Sequence, residues 1–118
     1  MVLSVARVIV SVSSLERSLA FYEVLGFAQF WSNADVARLR SGSGVELMLH
    51  ERGAEGSDLG LAVSFVVDDV DAMAAAAASE GGEIIDEPAD QPWGERQAVL
   101  HDPDGHVICL VAPLEARD

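Results

Sequence analysis

The chain has 118 residues, half of them hydrophobic, with one cysteine and no lysine; this is a single domain's worth of sequence, apolar enough for a core and without the means for an intrachain disulfide. Its formal net charge of −13 sets it against nucleic acid and anionic membranes as partners. No run approaches the roughly 20 apolar residues of a membrane span, and the alternating N-terminus lacks the basic leader of a signal peptide, which together point to a cytoplasmic protein.

Val5–Val12 is rich in β-branched residues and predicts a strand. Ser13-Ser14-Leu15-Glu16 reads as a capping box opening a helix, with Leu15, Leu19 and Tyr22 as its buried stripe and Gly26 as its stop. Three short strands are expected at about 27–32, 35–40 and 44–50, separated by the turns Asn33-Ala34 and Ser41-Gly42-Ser43. The order then repeats. Leu59–Val67 predicts a strand, and Asp68-Asp69-Val70-Asp71 places carboxylates at a helix start. Val70, Met73, Ala74 and Ala77 form the stripe of that helix, and Gly81-Gly82 ends it. Strands near 83–86, 95–101 and 106–112 follow, the last entered through the Asp102-Pro103-Asp104-Gly105 turn.

The repeat can be expressed as an offset. Adding 55 carries Val12 to Val67, Leu15 to Val70 and Gly26 to Gly81; adding 63 carries Gly42–Leu47 to Gly105–Leu110, leaving eight extra residues around Glu87–Gly94. The fold class is therefore α+β: two tandem βαβββ modules, about 1–55 and 56–118, within one domain, with a curved mixed sheet around a cleft that is the default ligand site. Residues 1–55 hold five arginines against six carboxylates, and residues 56–118 two against fourteen, so nearly all the net charge lies in the second half. Such acidity draws cationic ligands.

Several segments resemble the vicinal-oxygen-chelate superfamily of glyoxalases, bleomycin-resistance proteins and extradiol dioxygenases. They are Ser14–Tyr22 with Leu25-Gly26-Phe27, Val67–Ala72, Pro92-Trp93-Gly94 and Asp102–His106, in that order. The resemblance covers nearly the whole chain and is specific for fold rather than activity. It implies a metal ligand on the first and last strand of each module, and those four positions fall on Arg7, Glu46, Ala62 and Cys109. Of these, only Glu46 is a conventional ligand for such a centre. A guanidinium stays protonated, alanine has no donor, and Cys109 sits in an apolar strand where it reads as a small hydrophobe. No metal and no other cofactor is therefore expected, and Arg7 is expected to pair with Glu46 in place of the cation.

His50 follows Glu46 at a spacing that turns it to the same side, whereas His101 and His106 read as strand-end and turn residues. Trp31 on a strand and Trp93 in the inserted loop could stack on a planar ligand. The ligand-binding candidates are thus Arg7, Glu46, His50, Trp31, Trp93 and Cys109. By resemblance to the metal-free bleomycin-resistance branch, the expected function is metal-independent binding or sequestration of a small molecule, such as a cationic aromatic antibiotic, by a homodimer. The alternative is a lyase, isomerase or dioxygenase with an altered metal site.

Overall fold

A computed structural model of the chain describes residues 4–56 and 61–114. The chain divides into two compact units between Glu55 and Gly56. The first contains β1 (Val8–Val12), α1 (Leu15–Val24), β2 (Ala28–Ser32), β3 (Val36–Arg40) and β4 (Glu46–Glu51); the second contains β5 (Val63–Val66), α2 (Val70–Ser79), β6 (Glu83–Asp90), β7 (Glu95–His101) and β8 (Val107–Pro113). Each unit is one βαβββ module. No helix among the described residues is long and apolar enough to cross a membrane.

In the first module the strand order is β1-β4-β3-β2, and in the second β5-β8-β7-β6. The outer strand pairs β1–β4 and β5–β8 are parallel and the others antiparallel, so both sheets are mixed. The helix of each module lies on one face of its own sheet, where the core forms. Phe21, Tyr22 and Phe27 meet Val12, Ala37, Leu39, Leu47 and Leu49 in the first module; Val70, Ala74 and Ala77 meet Ala98, Leu100, Ile108 and Leu110 in the second. Because side chains alternate along a strand, the residues between those leucines face away from the helix. That helix-free face carries Glu46 and the arginines that bond to it.

Both helices start and stop alike. Ser14 caps α1 by accepting a bond from the Arg17 amide, and Asp69 caps α2 by accepting one from the Ala72 amide. The cap is thus one residue later than the predicted box, and Glu16 is not placed to close it. The buried stripe of α1 also differs from the expected Leu15–Leu19–Tyr22 set. Ser18, Phe21 and Tyr22 are buried, because two aromatic rings in edge-to-face contact fill the space against the sheet. Gly26 and Gly81 end the helices with φ of 111° and 99°, left-handed values that glycine accepts without a Cβ clash.

Strand limits hold with local exceptions. β1 begins at Val8 rather than Val5 and β5 at Val63; Leu59 and Gly60 lie outside the described residues. The larger difference concerns the segment read as a loop at Glu87–Gly94. β6 runs on to Asp90, pairing Ala89 with Gln97 and Asp90 with Arg96, and only residues 91–94 turn. Pro88 is tolerated because β6 is an edge strand whose outer side needs no partner.

Strand pairing also corrects the offset of the repeat. Arg40 faces Glu46 across the β3–β4 hairpin, as His101 faces Val107 across β7–β8. The turns match bond for bond. Ser41 and Val45 behave as Asp102 and His106 do, and the positive-φ glycines are Gly44 and Gly105. The offset over this hairpin is 61, not 63, so the insertion is six residues. The bulge in β2 between Gln29 and Trp31 recurs in β6 between Ile84 and Asp86, still at offset 55. The six extra residues therefore enter beyond Asp86, in the hairpin tip.

Candidate functional site

Glu46 is the first residue of β4, and its side chain projects from the helix-free face, since its neighbour Leu47 points into the core. Its carboxylate is 8% exposed and accepts three hydrogen bonds. Arg7 Nε donates to Oε2 at 2.9 Å. Arg38 grips it with two nitrogens, Nε to Oε2 at 2.7 Å and Nη2 to Oε1 at 2.9 Å. This is the planar two-point geometry in which guanidinium and carboxylate bind most strongly. The two hydrogen bonds from Arg38 lower the Glu46 pKa, burial pushes it up, and Arg7 pulls it down further; the outcome is a fall from 4.5 to about 2. The same contact raises the pKa of Arg38.

The expected Arg7–Glu46 pair is thus present in the geometry. Arg38 is the residue the sequence reading passed over. It is a diagonal neighbour of Glu46 across the hairpin, since Arg38 is in register with Met48 and Arg40 with Glu46. The signal was available in Val36-Ala37-Arg38-Leu39-Arg40, whose alternation puts both arginines on the face of Glu46. Phe30 of β2 underlies both guanidiniums, with Arg38 Cζ 5.0 Å and Arg40 Cζ 4.1 Å from the ring centroid. Beside the Arg7–Glu46 pair lies a half-open groove of about 280 Å³, lined by Val5, Ala6, Arg7, the Ser43–Val45 turn and Glu46.

The other candidates do not converge on this point. His50 shares the face of Glu46, four residues further along β4 and half-buried. Trp31 on β2 is 46% exposed. Trp93 sits in the turn after β6, 59% exposed, its indole Nε1 donating to Glu95 Oε1 at 3.0 Å. Cys109 is a free thiol on β8, between Ser64 and Val99. With the offset at 61, Cys109 is the counterpart of Met48, and Val107 is the counterpart of Glu46.

The positions that the resemblance assigns to a metal are Arg7, Glu46, Ala62 and Cys109. They do not fit one. A cation there needs three or four convergent donors. Arg7 is a fixed positive charge, Ala62 carries no donor, and both oxygens of Glu46 are already held by guanidiniums, which leaves the Cys109 thiol as a single donor. Among the described residues no group of three or more His, Cys, Asp and Glu side chains is placed to hold a metal ion.

The family model for the Glyoxalase/Bleomycin resistance protein/Dioxygenase superfamily matches residues 4–110. The chain belongs to this superfamily. Among relatives of this glyoxalase-superfamily chain, a putative glyoxylase of Mycobacterium tuberculosis, CFP32, is 53% identical over 51 residues, 43% of this chain; the chain spans 20% of the length of that relative. A protein of Mycolicibacterium smegmatis is 35% identical over 112 residues, covering 94% of this chain and 95% of the other. Among solved structures, a glyoxalase/bleomycin resistance protein from Albidiferax ferrireducens superposes with a TM-score of 0.76 at 27% identity, over 92% of this chain and 97% of that one.

Proposed function

We propose that this protein is a metal-independent, small-molecule-binding member of the superfamily, holding or sequestering a compound such as an antibiotic on the helix-free side of its sheets. The observation that supports it is the state of Glu46. The one carboxylate at a metal position is saturated by Arg38 and Arg7, so binding a cation there would first have to break three charge-assisted hydrogen bonds. The same bonds argue against Glu46 as a general base. A carboxylate whose pKa sits at about 2 is a poor proton acceptor near neutrality. A homodimer is the assembly expected of this reading.

The test is to dialyse the purified protein against Ni, Zn, Mn or Fe salts, measure bound metal, and titrate it with planar aromatic compounds of both charges while following tryptophan fluorescence. The expected result is substoichiometric metal and saturable quenching by at least one compound. Stoichiometric metal that is lost in Glu46→Gln would overturn the reading.

A further inference from the structure

We propose that the helix-free face of the first sheet is an oxyanion site, in which Arg40 and the unspent donors of Arg7 and Arg38 receive the carboxylate or phosphate of a small molecule whose apolar body lies against Ile9 and Met48. This rests on the metal-independent binding reading and gives its ligand a charge.

Each guanidinium has five N–H groups. Arg7 spends one on Glu46, and Arg38 spends one from each of two nitrogens, leaving four and three. Arg40 spends none: among the described residues its side chain makes no hydrogen bond or ion pair, and its contact is the Phe30 ring beneath it. Three guanidiniums against the single Glu46 carboxylate leave this face two charges positive. The overall −13 acts at long range and is largely screened beyond about 10 Å at 0.1 M salt, whereas contact-range charges are not. The local sign therefore governs what docks.

The site is also pre-organised. Glu46 anchors Arg7 and Arg38, and Phe30 supports Arg38 and Arg40 from one side, so little side-chain freedom is left to lose on binding. Ile9 lies two residues beyond Arg7 on the same strand face, in register with Met48, and is 51% exposed. It offers an apolar shelf beside the charged end. The groove beside Arg7 and Glu46 supplies space.

The experiment is calorimetric titration with 2-naphthoate, 2-naphthyl phosphate, neutral 2-naphthylmethanol and 2-naphthylmethylammonium, on the native protein and on Arg40→Gln. At least one anion is expected to bind about tenfold or more tightly than the neutral alcohol, and Arg40→Gln is expected to remove that advantage with Tm unchanged. Whichever anion is the tighter identifies the oxyanion as carboxylate or phosphate. Equal binding of anion and alcohol, preference for the ammonium compound, or retention of the advantage in Arg40→Gln would overturn the oxyanion assignment while leaving metal-independent binding intact. Failure of every probe together with stoichiometric metal would overturn both.

Discussion

The two modules share a strand order, a helix cap, a bulge and a hairpin turn, yet their helix-free faces differ in kind. In the first module Arg7, Arg38, Arg40, Glu46, Met48 and His50 occupy that face; at offsets of 55 and 61 the second module has Ala62, Val99, His101, Val107, Cys109 and Val111. Charged groups give way to valine, alanine and cysteine, and His101 is the counterpart of Arg40. The core faces change little by comparison: Leu39 and Leu47 become Leu100 and Ile108. Core positions are constrained by packing in both modules, whereas the opposite face differs between them, and at these positions the fixed charges lie in the first.

The largest effect should come from the part that is alike. Leu39 and Leu100 are both 0% exposed and occupy equivalent places. Truncating either to alanine should cost about 2–5 kcal/mol, with the two values close to one another in urea unfolding. A large asymmetry would break the equivalence. A smaller effect comes from the part that differs. Glu46→Val should lower Tm less than Leu39→Ala, because it strands two guanidiniums on a shared face. The triple change Arg7→Ala, Arg38→Val, Glu46→Val copies the second module's residues into the first and should recover much of that loss, since removing a whole charged group is better tolerated than removing half of it. A triple variant less stable than Glu46→Val would show that the cluster contributes more than mutual compensation.

The smallest effect is in pH. Glu46 has its pKa depressed in the folded protein, so its stabilisation is full above the unfolded value near 4.5 and is lost as pH falls from there through about 2. Glu46→Gln should flatten the acid limb of the stability curve over that window and leave its slope near neutrality alone. Chemical denaturation at a series of pH values checks this.

Much of the fold was legible because its signals are local. The Ser13-Ser14 and Asp68-Asp69 helix starts, the glycines after each helix, and the alternation in β3 and β4 each act within a few residues, although the first cap falls on Ser14 rather than Ser13. The repeat offset was not legible, because Gly42-Ser43-Gly44 offers two glycines to match against Gly105, and only the backbone shows that Gly44 is the one with φ of 95°. Strand continuation through Pro88 was equally hidden, since proline's penalty depends on whether the strand is at an edge. At the site, Glu46 and Arg7 could be picked out by position, but Arg38 could not be assigned to them without the hairpin register that makes it their diagonal neighbour.

The six-residue extension has a practical corollary. It lengthens β6 and β7 outward while every pair from Glu83–His101 to Asp86–Val99 keeps its counterpart in the first module. The tip at residues 91–94 is therefore a natural grafting point: a foreign peptide could be spliced in there, or the six residues excised, with the sheet beneath left in register.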